Sequence, residues 1–390
     1  MLIGFFMGLS SGAGVVISQY YGAKRYDQVE RTVHTAIVMT LILGVLFTGI
    51  GLGMTPFMLR FMKTPENVMP QSTAYLSIYF SGIMGLLIYN MGSGILRAVG
   101  DSRRPFYFLV VCAVMNTVLD LLFVVVFRMG VQGVALATIL SQAVSAALIL
   151  ITLLRTEECV QLRMGKLRLH WDILGKIIRV GIPAAVQMAI TAFSNIFVQS
   201  YINFFGDNCM SGWTTYAKVD QLIFLPMQSI ALASTTFVGQ NLGCNQVERA
   251  RKGITRALVL ALAVTAVIMV PVIAYAPQIV RFFNSKPEVV EYGTLLLRWI
   301  TPFYLLCCFN QVYSGALRGA GNSKAPMVIM LVSFVAFRQL YLFVMSRIWN
   351  EILPIAMGYP AGWLLSSSLS LIYYSLYKSK LGENRLVEDA

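Results

Sequence analysis

Apolar residues in this chain fall into long blocks, and polar residues into short gaps between them. The blocks lie at about 1–21, 34–58, 74–96, 106–127, 132–154, 176–204, 216–240, 257–280, 292–316, 325–346 and 355–377. Each is close to the roughly 20 apolar residues that a helix needs to cross a bilayer. The pattern predicts an all-α polytopic membrane protein with eleven transmembrane helices. The longest gap is basic, carrying Arg155, Arg163, Lys166, Arg168 and Lys176. It divides the chain into a first lobe at 1–154, a linker at 155–175, a second lobe at 176–377 and a polar tail at 378–390.

One block is interrupted by a carboxylate. Phe106–Phe127 reads FYFLVVCAVMNTVLDLLFVVVF, with Asn116 and Asp120 one helical turn apart and so on one face. An acid at membrane depth costs about 2.5 kcal/mol or more. Such residues face the protein interior or a water-filled cavity, where they handle an ion or a proton. A structural acid bonded to a neighbouring helix is the alternative.

Composition supports the membrane reading. Of 390 residues, 57% are hydrophobic and 12% charged, against roughly 25% charged in soluble domains. Mean hydropathy is +0.71. The net charge of +13 sits in short loops rather than in a basic domain, which argues against nucleic acid as a partner. The charges alternate from loop to loop. Lys24, Arg25 and Arg31, then Arg97, Arg103 and Arg104, the linker, Arg249, Arg251, Lys252 and Arg256, Arg318 and Lys324, and finally Lys378, Lys380 and Arg385 form the rich set. The poor set holds chiefly Arg60, Lys63, Arg128, Arg281, Lys286 and Arg347. Basic loops stay on the cytoplasmic side, so the C-terminus is expected there, in a plasma membrane. The six cysteines form no spaced metal motif and read as packing residues. The two histidines, His34 and His170, lie near loops, and no hydrolase, metalloprotease or P-loop signature is present. No enzyme activity, cofactor or resident metal is expected. Met1–Tyr21 lacks the basic start of a signal peptide.

The halves repeat. Ser18-Gln-Tyr-Tyr-Gly22 aligns with Gly239-Gln-Asn-Leu-Gly243, and Leu96-Arg-Ala-Val-Gly-Asp-Ser-Arg-Arg-Pro105 with Leu317-Arg-Gly-Ala-Gly-Asn-Ser-Lys-Ala-Pro326. Both pairs are offset by 221 positions (18 to 239, 96 to 317), and Thr64-Pro-Glu66 matches Lys286-Pro-Glu288 within one residue of that offset. Three matches in order indicate a duplication with parallel repeats, an arrangement common in transporters. The same offset places the first-half partner of Gly181–Phe205 before residue 1. One helix of an expected twelve is therefore predicted to lie upstream.

These paired signatures resemble the multidrug and toxic compound extrusion (MATE) family over nearly the whole chain. The resemblance implies a secondary antiporter that exports small organic compounds, often cationic or aromatic, in exchange for protons or sodium by alternating access. It implies two six-helix lobes with the substrate site between them, acting as a monomer among membrane lipids. The chain is most similar to the DNA-damage-inducible and archaeal branch, whose cation site uses an N-x-x-x-D pair and a Thr on the next helix. Asn116 and Asp120 match the pair. Gly133-Val-Ala-Leu-Ala-Thr138 matches the context of the Thr. The family's further acid would fall in the upstream helix. The branch with a coupling Glu on the seventh helix fits less well, because Gly181–Phe205 has Gln187 and Asn195 but no carboxylate.

At 1.5 Å per residue, Asp120 and Thr138 both fall roughly 10 Å below the outer surface. A short hairpin at Arg128–Gln132 makes their helices neighbours. Oxygen ligands suit a hard cation, sodium included, and a desolvated carboxylate suits a proton; the set leaves both open. A Thr in a membrane helix also commonly bonds its own backbone. The repeat equivalents of Asn116 and Asp120 are Phe337 and Tyr341, so the second lobe lacks this acid. It carries Arg338 mid-span instead, either a structural Arg pairing with carbonyls or an acid, or a gate. Asp220, beside Lys218, reads as interfacial, with a substrate contact as the alternative. Gly22, Gly100, Gly243 and Gly321 mark close turns with positive φ. Pro183, Pro226, Pro271 and Pro302 lie within spans and read as kinks. A lipid-linked oligosaccharide flippase of the same superfamily is the alternative function; it calls for several cavity cations, and only Arg338 is mid-span.

Overall fold

The computed structural model describes residues 2–61, 64–381 and 386, and among these every regular element is helical. Lys63 and Arg385 of the charge pattern, and most of the tail at 378–390, lie outside the described residues. The chain divides into two compact units, Leu2–Gly181 and Ile182–Ala390.

The first unit contains α1 (Leu2–Gly22), α2 (Tyr26–Phe61), α3 (Met69–Ser81), α4 (Ile83–Ala98), α5 (Arg103–Leu121) and α6 (Gly130–Arg155), followed by the start of α7 (Trp171–Asn203). The second contains the rest of α7, then α8 (Asp207–Gly243), α9 (Val247–Ala274), α10 (Ala276–Phe283), α11 (Pro287–Ile300), α12 (Tyr304–Gly319), α13 (Lys324–Met330), α14 (Arg338–Ile348), α15 (Ile352–Ala356) and α16 (Gly358–Tyr377). Ten helices among the described residues are long and apolar enough to cross a membrane, or eleven if α3 and α4, bent by 43°, form one span. The eleven predicted spans are these. Pro183, Pro226 and Pro271 sit inside helices, as expected, while Pro302 lies in the tight turn Thr301–Phe303 that separates α11 from α12.

The repeat signatures are helix endings. Gly100 and Gly321 have φ of 99° and 83°. The N–H of Asp101 bonds Leu96 O at 3.0 Å, and that of Asn322 bonds Leu317 O at 2.9 Å. This six-to-one closure is the Schellman arrangement, which satisfies carbonyls left over at a helix end. The following side chain starts the next helix: Asp101 Oδ1 accepts the Arg103 and Arg104 N–H groups, and Asn322 Oδ1 accepts that of Ala325. At the other pair, the left-handed residues are not Gly22 and Gly243 but Lys24 and Asn245, at φ of 57° and 60°. Glycine was expected to take the positive φ; here it ends the helix and the turn falls two residues later.

Small residues set the helix spacing within each unit. A Cβ at Gly12 would lie 2.6 Å from Ile177 O, and one at Gly319 would lie 2.4 Å from Thr235 O. Thr235 Oγ1 also donates to Gly315 O at 2.9 Å, tying α8 to α12. Because the atom met at Gly319 is main chain, it cannot swing aside. Gly319→Val is therefore expected to destabilise the second unit by about 1–3 kcal/mol or more. Thermal unfolding in detergent, followed by labelling of the buried Cys209, Cys307 and Cys308, measures this. Gly49→Ala, where a Cβ meets nothing within 4 Å, should show no loss.

The 155–175 segment packs on the first unit. Both histidines take part: His34 Nε2 accepts the Arg163 N–H at 3.0 Å, and the Thr35 hydroxyl meets His170 Nδ1 at 3.1 Å. Lys166 donates to Glu30 at 2.8 Å.

Candidate functional site

In the first unit, α5 is a peripheral helix. Val111, Val114, Val118 and Leu121 are exposed along it, and only Pro105 is fully buried. An apolar exposed face suits contact with lipid. Asn116 and Asp120 are partly covered. Asp120 Oδ1 and Asn116 Nδ2 are both shielded from solvent with no hydrogen-bond partner among the described residues. A buried polar atom without a partner costs about 1–3 kcal/mol; twelve other side-chain atoms among the described residues share this state, and Asp120 is the one carboxylate among them all. Two on one helical face form a polar spot with free acceptor and donor capacity.

The helix changes pitch directly after Asp120. Leu122–Val126 is π-helical, a form concentrated at functional sites. The chain then turns through Arg128, at φ 55°, into α6. Here Gly133 is needed, because a Cβ would lie 2.9 Å from Phe123 Cβ. Ala135 and Ala137 are also fully buried, so the small residues before Thr138 serve packing. Asp120 is three residues below the Phe123–Gly133 contact and Thr138 five. At 1.5 Å per residue their levels differ by roughly 3 Å. Thr138 Oγ1 donates to Val134 O at 2.9 Å, the backbone bond typical of a membrane Thr. Its lone pairs are not consumed by donating.

In the second unit, Arg338 is 1% exposed. Its Nε donates to Ser194 Oγ and its Nη2 to Asn195 Oδ1, each at 3.0 Å. Its guanidinium lies 4.9 Å from the Phe334 ring and 4.8 Å from the Tyr359 ring. This corrects the expected pairing. Among the described residues no carboxylate or main-chain carbonyl holds Arg338; a hydroxyl, a side-chain amide and two aromatic faces do. A planar guanidinium can bond in its plane and stack on both faces at once, which an ammonium cannot. Leu331–Phe337, just before it, is a second π-helical stretch. Its Phe334 carbonyl accepts Ser194 Oγ at 2.6 Å and Gln339 Nε2 at 3.2 Å.

Asp220 lies inside α8. Helix α8 begins at Asp207, nine residues before the predicted span, so Asp220 lies thirteen residues into the helix. Tyr304 donates to its Oδ1, and the Tyr216 hydroxyl lies 3.4 Å from the same atom and 3.1 Å from the Tyr304 hydroxyl. Lys218 turns away, over the Phe283 ring. No cationic side chain lies within ion-pair distance of Asp220 among the described residues. The two tyrosines were not identified from sequence. Tyr216 and Asp220 at i, i+4 was a legible hint; Tyr304, 84 positions away, was not.

No group of three or more His, Cys, Asp or Glu among the described residues could hold a metal ion.

Compared with known proteins, residues 1–122 and 183–341 match the MatE family profile. The chain is 31% identical to a probable multidrug resistance protein, YpnP, of Bacillus subtilis (strain 168) over 373 residues, covering 96% of this chain and 83% of that one. It is 27% identical to the probable multidrug resistance protein NorM of Thermotoga maritima over 372 residues, covering 94% and 80%. Its fold matches a crystal structure of MATE in the bent conformation with a TM-score of 0.92, covering 99% of this chain and 86% of that one. It matches an outward-facing multidrug resistance MATE family transporter of the MOP superfamily with a TM-score of 0.93, covering 97% and 85%. Both structural matches are 22% identical and speak to the fold.

Proposed function

This chain belongs to the MATE family of multidrug efflux transporters, and on that premise we propose that it is a cation-coupled antiporter for organic, cationic or aromatic compounds. It works by alternating access, as a monomer in the plasma membrane, with its C-terminus and the basic loops in the cytoplasm. Residues 1–154 and 176–377 act as the lobes, 155–175 joins them, and 378–390 is a cytoplasmic tail. Asp120 is the coupling group. It takes a proton or sodium ion, aided by the Asn116 side-chain oxygen and by Thr138. The observation that supports this is the pair of shielded, unpartnered atoms Asp120 Oδ1 and Asn116 Nδ2 on one face. A proton or a sodium ion would satisfy the carboxylate, and the two compete for it. Arg338 and Asp220 are given structural roles, since each is held by hydrogen bonds within its own unit. The flippase reading loses its support here, because the buried Arg338 is committed to Ser194 and Asn195.

Reconstituted vesicles test the reading. Ethidium efflux against an imposed proton gradient, and separately a sodium gradient, should exceed the ungraded rate for at least one ion. Equal rates with and without both gradients would refute coupling.

A further inference from the structure

We propose that the first unit carries an acidic, aromatic-walled cleft that captures aromatic organic cations at the cytoplasmic face before transport. This rests on the orientation and substrate class proposed above.

The cleft has a volume of about 610 Å³, which suits a drug-sized molecule. It lies where the start of α2 meets the segment after α6, and it is lined by Tyr21, Tyr26, Asp27, Glu30, Glu157 and Glu158. Its positive groups are few. Arg163 also lines it, 3.9 Å from Glu30, and Lys166 reaches the same carboxylate at 2.8 Å. Those two answer Glu30. Asp27, Glu157 and Glu158 form no ion pair among the described residues. Four acids of the chain's 17 thus face one cleft in a protein of net charge +13. Burial, and then the charge of Glu158, push the Cys159 thiol in the same wall up from its ordinary value.

The shape of the charge selects the ligand. The acids are too dispersed for a metal ion, as no cluster of three or more metal-binding side chains occurs among the described residues. Dispersed carboxylates suit a cation whose charge is spread over a large body. The remaining wall is aromatic. The Tyr21 and Tyr26 rings lie 6.1 Å apart, tilted by 56°, and Tyr26 is half exposed. Aromatic faces attract organic cations through the ring quadrupole and stack on aromatic ligands. A lipophilic cation bearing aryl rings meets both walls. In the cytoplasmic loops, where Lys and Arg predominate, such a cation would otherwise be repelled.

An aryl-azide derivative of tetraphenylphosphonium, photolysed with the purified full chain, tests the proposal. Peptide mass spectrometry should place adducts on the peptides containing Tyr26 and Glu157–Gln161, and excess tetraphenylphosphonium should suppress them. Glu157→Gln with Glu158→Gln should lower the yield at least about fivefold, since two of three unpaired charges are lost. These side chains form no ion pair among the described residues, and the variant's unfolding temperature checks that folding does not need them. Asp120→Asn should leave the adducts unchanged, so a failure of the coupling site is told apart from a failure of the cleft. The proposal is overturned by adducts only elsewhere, by equal yield in the double variant, by equal labelling with an uncharged triarylphosphine oxide azide, or by displacement with micromolar Mg²⁺, which would mean a metal site.

Discussion

Asp120→Asn is expected to abolish gradient-driven efflux while leaving the protein folded. The substitution keeps the shape and one acceptor oxygen but removes the group that can gain or lose charge. An ion shifts a transport equilibrium only through different affinities for the two states. Without a carboxylate, neither proton nor sodium has a charged partner at this face. Coupling energies of about 1–3 kcal/mol correspond to roughly 5–150-fold effects, so the driven rate should fall by at least that lower bound. Folding should survive because Asp120 Oδ1 accepts no hydrogen bond whose loss would matter. Asn116→Ala should weaken coupling less, as it removes a neutral ligand. The measurement is dye efflux from vesicles under imposed proton and sodium gradients, with the amount of folded protein read by gel filtration. Wild-type rates in Asp120→Asn under both gradients would make Asp120 a structural residue.

Asp220→Ala is expected to act the other way, on stability. Tyr304 and Tyr216 converge on one oxygen of this carboxylate, and hydrogen bonds to charged groups contribute about 1.5–3 kcal/mol each. Removing the acceptor leaves the Tyr304 hydroxyl only its Tyr216 neighbour at 3.1 Å. The rings stay packed: Tyr304 lies 5.1 Å from Trp363 and 5.5 Å from Phe224. The loss should therefore be on the order of 3 kcal/mol. Asp220→Asn keeps an acceptor oxygen and should lose less. Thermal unfolding in detergent orders the three proteins. An Asp220→Ala protein that melts with the wild type would show that the tyrosines, not the acid, organise this cluster.

The spans were legible because apolar length is a direct demand of the bilayer. The duplication was legible because Gly100 and Gly321, Asp101 and Asn322 answer identical backbone needs at helix ends. The Asn116–Asp120 pair was legible because helical spacing puts i and i+4 on one face. What sequence did not give was long-range. Arg338 meets Ser194 and Asn195 across more than 140 positions, and Tyr304 reaches Asp220 across 84. Periodicity says that such residues are buried, not which neighbour meets them. Apolar length placed the start of this span at 216, and the helix itself begins at Asp207. The 3.6-residue pattern also gives no warning of the π-helical stretches beside Asp120 and Arg338.

The signature Leu-Arg-x-x-Gly-(Asp/Asn)-Ser closes one helix with a left-handed glycine and opens the next with a side-chain oxygen, once in each half. Its glycine and its capping oxygen answer main-chain needs, whereas Arg97 Nε, Arg318 Nε and Ser323 Oγ of the same motif are shielded with no hydrogen-bond partner among the described residues. Two chains can share this motif to the letter and carry unlike cargo. A change of cargo can be written on the faces of the helices while the glycine and the cap at their ends stay as they are.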